Sequence, residues 1–77
     1  MNWQKTVTDP DEIQVFMTLD GPNYTWRTMG GIARQTGLSE ARVAQILDKY
    51  NLSLTRLSET PSVSGSALVG LIEKVGV

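Results

Sequence analysis

The feature that most constrains this sequence is a glycine that separates two stretches with helical apolar spacing. Gly37 is followed directly by Leu38 and Ser39. Glycine readily takes the left-handed conformation that ends a helix, and serine is a favoured N-cap of the next one. Two helices that cross steeply need a turn of only three or four residues, often with a glycine. The sequence therefore predicts a helix pair with a tight turn at Gly37 and with Leu38 pointing into the corner.

The helices on either side of this turn are predicted over residues 29–36 and 40–50. Thr28 is a suitable cap for the first, and its Gly30-Gly31 pair costs roughly 1 kcal/mol per glycine, so this helix needs tertiary support. Its predicted buried side comprises Met29, Ile32 and Ala33. The second helix has the clearest period of the chain, with apolar residues at i, i+3, i+4 and i+7: Val43, Ile46, Leu47 and Tyr50.

An earlier helix is predicted over residues 10–19, after a loose or extended lead-in at 1–8. Asp9 is the predicted cap, Pro10 suits the first helical position, and Glu12 is placed to reach back to the cap. Helix capping thus accounts for the carboxylates at this end. The predicted apolar side comprises Ile13, Phe16, Met17 and Leu19. The turn at 20–23 ends the helix.

The remaining elements are predicted to be short strands. Residues 24–27 form a brief strand, in which Tyr24 and Trp26 are expected to join the core, and residues 52–57 alternate as a strand does. We favour a second hairpin strand over 66–72, because a lone strand at 52–58 has little to pair with. A helix ended by Gly76 is the alternative for 66–75. The predicted fold class is α+β, mostly α, in a single domain over residues 1–77.

Composition excludes several kinds of chemistry. The 77 residues contain no cysteine and no histidine, which removes thiolate chemistry, the commonest metal ligands and the commonest general base. No nucleophile–base pair, metal cluster or cofactor loop is visible, so we expect neither an enzyme nor a bound cofactor or metal. No apolar run approaches the roughly 20 residues that span a bilayer, and a cytoplasmic protein is expected.

The charges are distributed unevenly along the chain. Residues 27–56 hold five Lys or Arg and two Asp or Glu, whereas the rest holds two Lys and six acidic residues, so an acidic chain has a basic middle. This middle contains the predicted helix pair. Nucleic acid is the partner that a basic patch at such a motif favours.

Residues 28–47 resemble the helix-turn-helix of bacterial winged-helix regulators, which often read T-x-x-x-I-A-x-x-T-G-L-S-x-x-x-V-x-x-I-L. The helix before the motif, the short strand and the hairpin over 52–72 follow the same order as in that family. The resemblance implies a three-helix winged helix-turn-helix with a short C-terminal β-hairpin wing. It also implies a transcriptional regulator that binds double-stranded DNA with the helix at 39–50 in the major groove.

Carried over to this chain, the resemblance implies one set of DNA-binding residues. Arg42 and Gln45 are the candidates for base contacts, because arginine pairs with guanine and glutamine with adenine through two hydrogen bonds each. Lys49 lies further along the same helix. The candidates for phosphate contacts, which position a protein without reading sequence, are Arg27, Thr28, Ser39 and Arg56. Each of these side chains has a plain surface role as its alternative.

Two features depart from the family. The predicted wing loop at 59–66 contains no lysine or arginine, and the presented helix mixes Glu40 and Asp48 with its cations. Because DNA affinity depends on phosphate neutralisation, a single copy is expected to bind weakly, and a homodimer or larger assembly would strengthen binding. The alternative function is a winged-helix module that binds protein and not DNA.

Overall fold

The computed structural model describes residues 3–21, 26–58, 65 and 67–76. After a 3₁₀ turn at Trp3–Lys5, the elements are α1 (Pro10–Leu19), β1 (Arg27–Thr28), α2 (Met29–Thr36), α3 (Glu40–Lys49), β2 (Thr55–Leu57), β3 (Leu68–Leu71) and α4 (Ile72–Val75). The predicted class, α+β and mostly helical, is confirmed.

The strands form one small antiparallel sheet in the order β1-β3-β2. Arg27 lies opposite Val69, and Val69 lies in turn opposite Leu57. Of the strand predicted over 24–27, residues 24 and 25 lie outside the described residues, and the observed strand runs one residue further, to Thr28. The predicted pairing of the two hairpin strands is confirmed by the β2–β3 register.

The turn between α2 and α3 has the predicted geometry. Gly37 has a φ of 77°, and its amide donates to the carbonyl of Ala33, which closes α2. The side chains of Thr28 and Ser39 accept hydrogen bonds from the amides of Gly31 and Arg42, so both predicted caps are confirmed. Leu38 is half-buried and packs against the core.

The core lies between the three longer helices and the inner side of the sheet. The inner side of α3 is as predicted, and its members are all buried: Val43, Ile46, Leu47 and Tyr50. The buried residues contributed by α2 and by β3 are Ile32, Ala33, Val69 and Leu71. Because these residues come from three different elements, the core supplies the tertiary support that the glycine-weakened α2 needs.

The predicted loose lead-in is wrong for residues 3–8. Trp3 and Val7 are buried in the core, the indole Nε1 of Trp3 donates to Asp20 at 3.1 Å, and the Trp3 ring lies 5.5 Å from that of Phe16. A single aromatic residue in a short segment leaves no periodic pattern. Its burial depends on the surface that α1 offers, which a local pattern does not contain.

The inner side of α1 also differs from the prediction. Met17 is 59% exposed, whereas Val15 is fully buried beside Phe16 and Leu19. The buried positions follow the spacing i, i+3, i+4 and i+7 only if they start at Glu12, which is 5% exposed. The apolar pattern missed this side because its first member is a charged residue.

The predicted strand at 52–57 begins three residues late, at Thr55. The carbonyl of Tyr50 accepts hydrogen bonds from the amides of Ser53, Leu54 and Thr55, and α3 ends at Lys49 instead of residue 50. The last carbonyls of a helix need donors, and this turn supplies them. Leu52 has a φ of 64° and is 72% exposed. The alternation of apolar and polar residues at 52–54 therefore belongs to a turn and not to a strand.

Leu52 provides a test of this turn. Leu52→Asn is expected to raise the free energy of unfolding by about 0.5–1 kcal/mol, because asparagine tolerates the left-handed region and little apolar burial is lost. Leu52→Val is the matched control and is expected to destabilise, because a β-branched residue with positive φ is strained. Urea unfolding of both variants measures the difference, and a valine variant at least as stable as the asparagine variant would contradict the observed turn.

The segment at 66–75 contains both of the structures that the sequence left open. Residues 68–71 form the predicted strand, and α4 follows at once as a single helical turn that ends with Gly76. The connection between β2 and β3, which includes most of the predicted wing loop, lies outside the described residues except for Ser58, Gly65 and Ala67.

Candidate functional site

The face of α3 that points to solvent is fixed by its inner side. With Val43, Ile46 and Leu47 buried, the exposed residues on the opposite side of the helix are Glu40, Ala41, Ala44, Gln45 and Asp48. This face contains two carboxylates, and Lys49, whose side chain is 60% exposed, lies at its edge.

Arg42 does not belong to this face. Its Nε lies 3.3 Å from Asp11 Oδ2 and its Nη2 lies 3.6 Å from Asp9 Oδ1. Both carboxylates are at the start of α1, so the guanidinium lies along the α1 side of α3. All three side chains are between a third and a half exposed, and such surface ion pairs contribute about 0–1 kcal/mol. These ion pairs therefore add little stability, but they show that the Arg42 side chain is directed towards α1.

Lys49 lies on the same side as Arg42, two turns later. Its Nζ is 2.8 Å from Glu12 Oε2, while the Tyr50 hydroxyl donates to Glu12 Oε1 at 2.5 Å. Burial raises the pKa of Glu12, but the hydrogen bonds from Lys49 and Tyr50 outweigh it and leave that pKa below its ordinary value. The same contacts act on the partners. The hydrogen bond to Glu12 raises the pKa of Lys49, and burial, followed by the hydrogen bond to Glu12, raises the pKa of Tyr50.

The sequence predicted that Glu12 reaches back to the cap of α1. This prediction is wrong. The cap is made by Asp9 alone, which accepts hydrogen bonds from the amides of Asp11 and Glu12. The Glu12 carboxylate instead joins α1 to the end of α3. One signal for this arrangement was present in the sequence, because Arg42 and Lys49 are seven residues apart and so share one side of a helix.

The other predicted DNA-binding residues are spread over the molecule. Gln45 is exposed on the outer face of α3, and Ser39 is exposed but uses its hydroxyl as a cap. Thr28 also uses its hydroxyl as a cap. The Nη1 of Arg27 donates to Gln35 Oε1 at 2.8 Å. Of the seven predicted residues, the structure places Ser39 and Gln45 at the exposed start and outer face of α3, and Lys49 lies exposed at the edge of that face.

Arg56 lies on β2, at the base of the hairpin. Its Nη1 donates to the carbonyl of Gly76 at 3.3 Å, and its Cζ lies 5.8 Å from the centre of the Trp26 ring. Trp26 is half-buried and does not belong to the core, so the expectation that it joins the core is wrong. Arg56 therefore joins three segments of the chain, from the start of β1 to the end of α4, which is a structural role.

No sequence pattern indicated that Arg34 belongs to the surroundings of α3, or that the two glycines of α2 leave space for arginine side chains. A Cβ on Gly31 would lie 3.2 Å from Nη2 of Arg27, and a Cβ on Gly30 would lie 3.6 Å from Nη1 of Arg34. The absence of side chains at both positions therefore lets two guanidinium groups lie against the surface of α2. A sequence pattern indicates that glycines weaken a helix, but not which side chains occupy the space.

Comparison of the chain with protein-family models, with curated proteins and with solved structures finds no match. Within the described part of the chain, no helix is long and apolar enough to cross a membrane.

Proposed function

We propose that this chain is a winged-helix module that binds a protein partner through the exposed face of α3, and that α3 does not read DNA bases. The winged-helix assignment is supported by the order of elements, a helix followed by a short strand, a helix pair with a glycine turn, and a hairpin. The sheet order β1-β3-β2, in which the first strand pairs with the hairpin, fits the same assignment. Folds of this type serve several functions, so the function is argued from the surface.

The observation that carries the proposal is the charge on the outer face of α3. Glu40 and Asp48 are exposed there, and the two cations of the helix are directed towards carboxylates of α1. Double-stranded DNA carries one negative charge per about 1.7 Å of helix axis, so the groove disfavours a face whose carboxylate Asp48 is uncompensated and whose neighbouring cations are paired with α1. A protein partner does not need a positively charged face. Small residues such as Ala41 and Ala44 allow such a partner to approach closely.

Duplex DNA is the second candidate, and one observation favours it. Arg27 and Arg34 both lie against α2, Arg27 next to Gly31 and Arg34 next to Gly30. Phosphates are bound by such groups without sequence readout. In that case the basic side of α2, and not the outer face of α3, would contact the nucleic acid.

A titration with duplex DNA tests the proposal. A labelled duplex of mixed sequence is titrated at low salt and followed by fluorescence anisotropy. We expect no binding that depends on Arg42, so the curves of the wild type and of Arg42→Ala are expected to coincide. Lys74→Ala, which removes a cation of α4 that donates to the carbonyl of Gly21, is the matched control. Binding whose log affinity falls with log salt by about 0.9 per neutralised phosphate, and which Arg42→Ala weakens, would overturn the proposal.

Amide chemical shifts separate the two candidates. If the duplex shifts the resonances of residues 39–49, α3 is a DNA-reading helix and the proposal fails. If it shifts only residues 27–35 and Arg34→Ala abolishes binding, the second candidate is supported instead.

A further inference from the structure

A small groove lies beside the exposed face of α3, where this helix meets the start of α2 and the edge strand β2. Its lining residues are Met29, Ala44, Leu47, Asp48, Asn51 and Leu57, and it encloses about 150 Å³. Small-molecule pockets enclose about 300–1,000 Å³, so this groove is too small for a cofactor-sized ligand. Its size suits one bulky side chain, the way in which a protein partner inserts an anchor residue.

The walls of the groove are mostly apolar. Leu57 is 50% exposed on β2, which is an outer strand of the sheet, and Met29 and Leu47 form the side next to the core. A single exposed leucine is ordinary on a protein surface. Here, however, Leu57 stands at the rim of a concave apolar surface, so an inserted apolar side chain would be contacted on several sides.

One carboxylate at the groove is not compensated. Asp48 forms no ion pair with any residue that the structure describes, because the neighbouring cation Lys49 is directed to Glu12 on the other side of the helix. Glu40 differs from it, because Arg34 approaches it across Gly30, where both side chains lie within 4.0 Å of the position of a Cβ. The charge that a partner meets at this groove is therefore the negative charge of Asp48.

We infer that this groove binds a protein segment that inserts one bulky apolar side chain between α3 and β2 and places a lysine or arginine of the same segment against Asp48. The inference rests on the proposed function, and it adds the chemistry of the partner: apolar at the anchor and basic beside it. An acidic segment would bring like charges together, which is unfavourable at an interface.

Selection of short random peptides displayed on phage, with the wild-type domain as bait, tests the inference. We expect the recovered peptides to combine a bulky apolar residue with a nearby lysine or arginine. Their binding is expected to fall by about tenfold or more in Ala44→Arg, which fills the groove and repels a cation. Gln14→Arg introduces the same residue at an exposed position of α1, outside α3, and is expected to bind as the wild type does. Asp48→Asn is expected to weaken the binding of those peptides that contain a basic residue, and of no others.

The outcomes separate this inference from the proposed function. Three results would overturn the inference about the groove: no peptide is recovered, the recovered peptides are acidic, or they bind Ala44→Arg as tightly as the wild type. If in addition the duplex titration shows no binding through α3, the protein-binding proposal stands and only the groove fails. Duplex binding through residues 39–49 would overturn both.

Discussion

Phe16→Ala is expected to lower the free energy of unfolding by about 3–5 kcal/mol, because it deletes a fully buried aromatic side chain. Phe16 joins two other rings of the core: Trp3, and Tyr50, whose ring meets it edge to face at 5.1 Å. Small domains have a total stability of about 5–15 kcal/mol, so the variant would be unfolded to a large extent near physiological temperature. Urea or thermal unfolding followed by circular dichroism measures the loss.

Met17→Ala is the control for this prediction. Met17 is the next residue of α1, is also large and apolar, and was expected from the sequence to share the buried side with Phe16. Because it is mostly exposed, its truncation is expected to change stability by no more than about 0.5 kcal/mol. Equal losses for the two variants would show that α1 has a different orientation from the one described here.

Glu12→Gln is expected to lower the free energy of unfolding by about 1–3 kcal/mol at neutral pH, because it removes the charge that accepts hydrogen bonds from Lys49 and Tyr50. The substitution preserves the shape of the side chain, so the loss reports the charge and not a cavity. Asp11→Asn, a carboxylate one residue earlier with an exposed ion pair to Arg42, is the matched control and is expected to cost no more than about 1 kcal/mol.

The pH dependence gives the second part of this prediction. The folded pKa of Glu12 lies below its ordinary value of 4.5, so the ionised carboxylate adds stability that is fully present above that value. This stability is lost as the pH falls through the lower folded pKa. The difference between wild type and Glu12→Gln is therefore expected to be largest near pH 7 and to shrink below pH 4.5. A difference that stays constant, or grows, on acidification would contradict the contacts described for Glu12.

The α2–α3 unit could be predicted from sequence because each signal in it is local. Gly37 and Ser39 act on their own backbone neighbours, and the inner side of α3 consists only of apolar residues. The inner side of α1 could not be predicted in the same way, because it begins with Glu12. A pattern that counts apolar residues leaves out a carboxylate whose burial depends on Lys49 and Tyr50, almost forty residues away.

The directions of the charged side chains of α3 could not be predicted from the sequence. Helical spacing separates the inner residues of α3 from the rest, but it does not show which edge of the helix faces α1. Arg42 and Lys49 lie on that edge, and both are directed to carboxylates of α1. The groove at Leu57 also escaped prediction, because it forms only where α2, α3 and β2 meet.

The strand order affects how the chain reaches its native state. β3 is the last strand to be synthesised, yet it occupies the middle of the sheet, and neither β1 nor β2 has a ladder partner until residues 68–71 are available. The β2–β3 pairing is a local hairpin, whereas the pairing of Arg27 with Val69 requires the closure of a long loop, which is slower than the formation of neighbouring helices. A nascent chain that stops short of residues 68–71 therefore leaves β1 and β2 without the strand that pairs with both, and such open edges favour intermolecular association.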